Sequence, residues 1–430
     1  MSLPQDAAKM ARDGGIQTPK LAPNAFTTDK IFQIGQGEFI GRDNLQSGNG
    51  NVGATQSYPD ISLTSALSAP FNATTAWRSL SAYLNQVKNT NTSSSFYLEK
   101  FGSFPGTGAY ATAVVGPNGL IYMPANNNSV GRIINPINNT VTTYGSFFPS
   151  PNGAIHGGAL TPNGLIYCTA YNQSTASITN PFNNTTTTFG TFPGTSSGWG
   201  AGAVLAPNGK VYMIPFLGTV FAVVDPLAAN PTSIQFFGTN NQNCLAGTLA
   251  PNGKIYCGVS SPYTYGIIID PATNTLSSYG PIPSQSYAGG SVLAPSGIIY
   301  MIPVGSAGNT VVVVIDPSTN SVVKTFSGVT GNGASPYVGS CIDQFGRIFL
   351  APYDSTTGLV IDTNNDSIQT YGNSSFFPGS QAYEGAILAP NGKVYFVPYS
   401  ATSGLCVNGL SNNIWNLNAT INPSFNRTNS

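Results

Sequence analysis

Charge is what this chain has least of. Asp, Glu, Lys and Arg make up 7% of its 430 residues, against about 25% in an ordinary soluble domain, and the 15 basic and 15 acidic side chains cancel. With no net charge and no basic stripe, there is no electrostatic footing for nucleic acid or an anionic membrane surface. Histidine occurs once, at His156, which excludes His-rich metal sites and leaves one imidazole for acid–base chemistry. Cys168, Cys244, Cys257, Cys341 and Cys406 are odd in number and lack CxxC spacing. They read as small buried hydrophobes, not as a disulfide or zinc framework. No apolar run approaches the roughly 20 residues of a membrane span. The opening Met1-Ser2-Leu3-Pro4-Gln5-Asp6 also lacks the basic-then-apolar pattern of a signal peptide, so neither membrane insertion nor secretion is expected. Sequons such as Asn72, Asn127, Asn172, Asn365 and Asn418 follow from the Asn, Ser and Thr content; without a secretory route they carry no glycan.

The charges that exist are unevenly placed. Half of them, 15 of 30, fall in the first 100 residues, which puts a boundary near residue 95. Residues 1–95 show no repeat and are rich in Gly, Pro, Asn, Gln and Ser between 14 and 70, the composition of an extended arm ordered by what it touches. One or two short helices are expected there. Pro4 to Arg12 suits one, and Thr74 or Thr75 can cap another running to about Lys88. Trp77, Leu80, Leu84 and Val87 fall on one face of that second helix. About four turns are marginal alone, so the face needs a surface, either the chain's own β domain or a docking partner.

From residue 96 the chain repeats. Gly116-Pro117-Asn118-Gly119-Leu120-Ile121-Tyr122 returns as Thr161-Pro162-Asn163-Gly164, Ala206-Pro207-Asn208-Gly209, Ala250-Pro251-Asn252-Gly253, Ala294-Pro295-Ser296-Gly297, Asp343-Gln344-Phe345-Gly346 and Ala389-Pro390-Asn391-Gly392, mostly ending in Tyr. A second marker keeps step: Asn135, Asn180, Asp225, Asp270, Asp316, Asp362 and Asn408, followed by proline in the first five. Seven copies of about 45 residues, each with four short strands, predict a seven-bladed β-propeller of four-stranded antiparallel blades. In the third copy the strands are expected at residues 201–205, 210–214, 220–224 and 233–237, with Asn208-Gly209 as a type I′ turn. Seven residues before each turn glycine stand Thr112, Gly157, Gly202, Ala246, Gly290, Gly339 and Gly385, small enough to converge on an axis. Residues 96–102 resemble the outer strands and are expected to close the seventh blade; the competing assignment uses residues 414–419. The Asp of the second marker reads as a turn carboxylate accepting backbone N–H groups.

In such blades the Asn-Gly and Asp-Pro turns share one face, and the variable loops occupy the other. That loop face carries Tyr171, Phe216, Tyr263, Tyr265, Tyr353 and Tyr399, with Trp199, Tyr287, Tyr337 and Tyr383 near the mouth of the channel. Rigidly held aromatics offer contact area at low entropic cost and, among Asn, Ser and Thr, suit sugar faces. The candidate binding set is therefore Tyr171, Trp199, Tyr263, Tyr265, Tyr337, Tyr353, Tyr383 and Tyr399. His156 and Glu384 both fall eight residues before a turn glycine and line the mouth, but in blades that are not neighbours. No catalytic residue, metal or cofactor is expected. A GxGxxG at residues 48–53 lacks the flanking strand and helix of a dinucleotide site, and a GxSxG at residues 194–198 falls in an inter-blade loop.

The Pro-Asn-Gly-[Lys/Leu]-[Ile/Val]-Tyr units, with their Asp-Pro steps, resemble the seven-bladed propellers of the NHL-repeat and virginiamycin-B-lyase-like type over residues 96–430. The resemblance implies the fold; for activity it implies a histidine and acidic residues on one face with a divalent metal, a set for which this chain offers one histidine. The low charge and the abundance of Asn, Thr, Ser and Gly behind an irregular arm are similar to structural proteins of viral particles: tails, spikes and capsid decorations. The expectation is a non-enzymatic virion component, located in the virion. Its arm attaches to other virion proteins, and its propeller meets a host-surface glycan or protein within a symmetric assembly. The alternatives are a free, cytoplasmic lectin-like module and a lyase or hydrolase of the resembled type.

Overall fold

The computed structural model describes residues 96–147, 155–169, 171, 173–192, 202–239 and 242–408. Within them the chain forms seven four-stranded antiparallel sheets, and residues 96–409 make one compact unit. Trp77, Leu80, Leu84, Val87 and Trp199, the arm's helices and residues 414–419 lie outside the described residues. The third sheet shows the plan: Gly202–Leu205, Val211–Ile214, Phe221–Val224 and Ile234–Phe237, each paired with the next. Its middle two strands are buried throughout, because neighbouring sheets cover both of their faces. Outer strands such as Thr185–Phe189 are polar and largely exposed, ending on one buried ring.

The Asn-Gly turn is not type I′. Gly209 alone has a positive φ, of 79°, and its amide donates to the Ala206 carbonyl. Pro207 stands second in the turn, and a proline ring fixes φ near −65°, which excludes the doubly positive geometry. The result is a turn followed by one left-handed glycine, with the Asn208 side chain accepting from the Lys210 amide at 3.1 Å.

The inner strands crowd the axis. A Cβ on Gly157 would stand 2.6 Å from the Gly202 Cα, one on Gly339 2.6 Å from the Gly385 Cα, and one on Gly385 3.1 Å from the Ala111 carbonyl oxygen. Small residues here are a condition of closing the ring.

The two periodic markers prove to be halves of one joint. The Tyr212 hydroxyl lies 3.1 Å from the Pro271 carbonyl and 2.6 Å from Asn274 Oδ1, both on the next blade, and accepts from Asn208 Nδ2 at 3.1 Å. Asn208 also donates to the Pro271 carbonyl at 2.9 Å. Tyr122 repeats this on Pro181 and Asn184, and Tyr256 on Pro317 and Asn320. Tyr300 does so on Thr363 and Asp366, where proline is missing but its carbonyl position is kept. Tyr167 reaches Pro231 in a longer turn. Asn139, Asn184, Asn274, Asn320 and Asp366 all sit at φ of 53–58°, a conformation that Asn and Asp tolerate better than most residues and that turns the side chain toward the tyrosine.

The ring closes with the same joint. Tyr395 of the seventh blade lies 3.3 Å from the Pro136 carbonyl and 2.7 Å from Asn139 Oδ1 of the first. The outer strand of the seventh sheet is Tyr97–Phe101, paired with Gly404–Asn408. Its Glu99 accepts from Lys393 Nζ at 2.7 Å and from Asn139 Nδ2 at 2.8 Å, so one side chain ties this strand to both blades it joins. Burial pushes the Glu99 carboxyl up, but Lys393 and Asn139 outweigh it and hold it below its ordinary value. The sixth blade carries Phe349 in place of tyrosine. The turn that would face it follows Asn408, where proline is missing, and lies outside the described residues. There Phe349 packs edge-on against Phe96 at 5.5 Å, and the Arg347 guanidinium lies 5.4 Å from the Phe96 ring centre.

Removing a hydroxyl from a joint takes the donor from the left-handed asparagine's oxygen, which costs about 1–3 kcal/mol, while the proline carbonyl keeps its bond from Asn208 or Asn391. Tyr212→Phe and Tyr395→Phe should each lower the unfolding free energy by that amount, read as an earlier urea midpoint with an unchanged β spectrum.

Candidate functional site

In each blade the inner strand runs toward the Asn-Gly turn and the second strand runs back, so the start of the first and the end of the second share the loop face. On the seventh blade these are Tyr383–Leu388 and Val394–Pro398, which place Glu384 and Tyr399 there. On the second they are Gly158–Leu160 and Ile166–Cys168, which place His156 and Tyr171 on the same face.

His156 Nδ1 and Glu384 Oε1 are 3.4 Å apart. The blade between them does not separate them, because the residue at the matching position is Ala111 and near the axis a methyl group leaves room to reach past it. The two stand in non-neighbouring blades, as the sequence places them, and meet at the axis. The His156 ring stacks on Tyr171 at 4.0 Å and 20°, and Tyr171 on Phe216 of the third blade at 6.3 Å and 29°. Close to Glu384, Tyr353 of the sixth blade and Tyr399 of the seventh meet at 5.5 Å. Next to Tyr353, Asp354 accepts from the Ser335 amide at 2.9 Å and the Gln381 amide at 3.3 Å.

Desolvation sets the electrostatics. Burial pulls the His156 imidazole down to about 4 and pushes the Glu384 carboxyl up to about 8. Their side chains are 21% and 13% exposed. Between those values the pair holds one proton, which stays on the carboxyl and leaves both side chains uncharged. Burial first, and then the proximity of Glu384, also raise the hydroxyls of Tyr171, Tyr353 and Tyr399. One imidazole and one carboxyl do not fit a divalent ion, which needs several more oxygen donors. Among the described residues no three His, Cys, Asp or Glu side chains gather as a metal site.

Of the eight aromatic candidates, the structure brings Tyr171, Tyr353 and Tyr399 together with Phe216 and the His–Glu pair. Tyr263 packs against the core of the fourth blade and Tyr265 stands exposed beside it. Tyr337 and Tyr383 do not belong to the face: both are fully buried, as is Tyr287. They begin inner strands or precede them closely and point between blades, where their hydroxyls reach the Thr357, Ser403 and Pro283 carbonyls. The matching placement of His156 and Glu384, with a small residue between, was the sequence signal for the contact that the blade count obscured.

The turn face also differs from its expected monotony. On the first three blades the residue after proline is Ile137, Phe182 or Leu227, exposed by 80%, 72% and 63%, whereas the fourth and fifth carry Ala272 and Ser318. A groove of about 300 Å³ beside Lys210, Asp225 and Gln235 gathers one surface ion pair and small side chains. Among the described residues the axial cluster gathers a histidine, a carboxyl and several aromatic rings at one place, which makes it the candidate site.

The proton count of the pair dictates a pH dependence. From pH 4.5 to 6.5 the folded carboxyl holds one proton and the unfolded imidazole holds one, so stability is flat. Above pH 6.5 the unfolded chain loses its proton while folded Glu384 keeps its own until about 8. The folded state then binds more protons, and stability falls with rising pH by about 1–2 kcal/mol across this window. Denaturant titrations of Glu384→Gln should lack that fall and should show the histidine's opposite slope, a loss on acidification below pH 6.5.

No protein-family model matches the chain, and no curated protein matches it. Solved structures match in shape. A streptogramin B lyase is 18% identical, with a TM-score of 0.58 over 73% of this chain and 98% of its own. A catalytically inactive virginiamycin B lyase from Staphylococcus aureus, solved with quinupristin, is 13% identical, with a TM-score of 0.59 over 73% of this chain and 99% of its own. The hydrazine synthase of Kuenenia stuttgartiensis is 12% identical, with a TM-score of 0.54 over 71% and 97%. Likeness at these identities is likeness of fold: residues 96–408 form a seven-bladed propeller similar to those of the virginiamycin B lyases.

Proposed function

We propose that this chain is a non-enzymatic recognition module carried on a viral particle, with residues 1–95 as its attachment and the loop face of the propeller as its binding surface. The observation that carries the recognition part is the axial cluster, in which aromatic rings from four blades surround an uncharged His–Glu pair. Such a set offers contact area and hydrogen bonds without the charge placement that catalysis needs. The particle setting rests on composition: 7% charged residues and an arm unlike the repeats it precedes.

A second reading, a lyase or hydrolase of the virginiamycin-B-lyase-like type, is favoured by one observation, the 3.4 Å contact of His156 with Glu384. An imidazole and a carboxyl sharing one proton can exchange it with a substrate. It predicts a turnover that His156→Ala abolishes.

Quantitative mass spectrometry of purified particles beside the soluble fraction tests the first reading. A fixed copy number in particles is expected. A chain lacking residues 1–90 keeps the closing strand Tyr97–Phe101 and should fold but stay out of particles. Presence in the soluble fraction alone, or normal incorporation of the shortened chain, would overturn the reading or its account of the arm.

A further inference from the structure

Asparagine followed by glycine is a reactive pair as well as a turn former. Asn is among the thermolabile residues, and a glycine, having no side chain, leaves its own amide nitrogen unshielded. That nitrogen can attack the carbonyl carbon of the asparagine side chain. Six such steps lie wholly within the described residues, beginning at Asn118, Asn163, Asn208, Asn252, Asn332 and Asn391. Five are the turns of the blade joints, and there both reacting groups are occupied. The amides of Gly119, Gly164, Gly209, Gly253 and Gly392 donate to the carbonyl three residues earlier, at 2.9–3.0 Å. Each asparagine oxygen accepts from the amide two residues on. Each side-chain nitrogen donates to a carbonyl of the next blade. Attack within a joint has to open these bonds first.

Asn332-Gly333 is built differently. It belongs to the connection between Ser321–Ser327 and Tyr337–Ile342, on the loop face and outside any joint. That connection is pinned on either side of the pair. The Gly331 amide donates to the Gly305 carbonyl at 3.2 Å, and the Ser335 amide to Asp354 at 2.9 Å. Between the pins Asn332, Gly333 and Ala334 are exposed. Asn332 Nδ2 donates to the Thr356 hydroxyl at 3.2 Å. Among the described residues nothing donates to the Asn332 oxygen, and the Gly333 amide meets no acceptor. Glycine is required here, because its φ is 93° and a Cβ would stand 2.3 Å from Asp354 Cβ. We propose that Asn332 is a site of spontaneous modification, where the chain turns its own amide into a carboxylate while the joint asparagines persist. The Gly333 nitrogen bonds to Asn332 Cγ, the Cγ–Nδ2 bond breaks, and ammonia leaves with the glycine amide's proton. Water then opens the cyclic imide at either of its C–N bonds, giving aspartate or isoaspartate. The product adds a negative charge to the loop face, close to Asp354, in a chain whose charges otherwise cancel.

Peptide mapping by mass spectrometry tests this on the full chain, with folded and guanidinium-unfolded samples aged side by side in mildly alkaline buffer. The unfolded chain gives each Asn-Gly step its intrinsic rate, so the ratio of the two rates isolates what the structure does. All six steps should convert at similar rates when unfolded. In the folded chain the joint asparagines should be slowed on the order of 100-fold, three bonds at about fivefold each. Asn332, with one side-chain bond to open, should stay within about tenfold of its unfolded rate. Labelling of the aged folded chain by an isoaspartyl methyltransferase should fall on the peptide that holds residue 332. Asn332→Gln, whose side chain would have to close a larger ring, should remove that label and leave the urea midpoint unchanged. The proposal is overturned if Asn332 keeps its amide while the unfolded chain converts. It is equally overturned if the joint asparagines of the folded chain convert as fast as Asn332 does.

Discussion

The fold depends on a joint of one tyrosine and two asparagines. Four blades offer a tyrosine hydroxyl and a turn asparagine to a carbonyl and a left-handed Asn on the next, as at Tyr212, Asn208, Pro271 and Asn274, and Tyr167 and Tyr300 keep parts of the same joint. Sheet packing is nondirectional and would tolerate a range of angles between blades. A hydroxyl that must meet a carbonyl and an amide oxygen within 3.3 Å tolerates far less. Repeated around the ring, the joint fixes the blade-to-blade rotation. Among the described residues the tyrosine itself is replaced only at Phe349, and there the Phe96 ring packs edge-on and the Arg347 guanidinium lies over the aromatic pair. The junction without a hydroxyl thus adjoins the blade completed by the N-terminal strand, which Glu99 and Tyr395 tie on its other side to the first blade.

The same joint explains the division of labour between faces. Turn residues are committed to neighbouring blades, so their sequence is monotonous apart from the position after proline, which points outward and varies from Phe182 to Ser318. Loop residues owe nothing to the joint and are free to differ. Close to the axis the inner strands approach until glycine Cα atoms nearly touch, and positions two blades apart become neighbours. That is how His156 and Glu384 meet past Ala111, and how rings from the second, third, sixth and seventh blades come to share one mouth.

Much of this was legible in the sequence. Two markers in step gave the blade count, the small residues before each turn gave the axis, and the likeness of residues 96–102 to the outer strands gave the closing strand. The joint was not legible as such, because Tyr122 and its acceptor Pro181 are 59 residues apart and each marker has its own local explanation as a turn. The turn type was misread although Pro207 stood in plain sight: Asn-Gly favours one geometry and the preceding proline forbids it. Tyr337 and Tyr383 stand near the mouth by proximity to the strand start, but each precedes a bulge in its strand, between Tyr337 and Ser340 and between Tyr383 and Ala386, which re-aims the side chains. The residue that begins the strand points between blades, and the next one, Glu384, points to the mouth.

Desolvation gives the mouth its character, and the low charge of the whole chain is what makes it effective. In a protein with ordinary surface charge, some lysine or arginine would fall near a carboxyl at the axis and hold it ionised. Here Lys393 is engaged by Glu99, Arg347 by Asp343, and Lys210 and Lys254 by Asp225 and Asp270, all on or near the turn side. Glu384 faces tyrosines and an imidazole, and burial alone decides its state. An acid kept neutral beside a stacked imidazole is a hydrogen-bonding group without a field, which orients a ligand's hydroxyls but does not draw ions from solution. Selectivity at such a site comes from shape and hydrogen-bond geometry. A rigid ring of joined blades can supply both, because its loops are anchored at each end by strands that the joints hold in place.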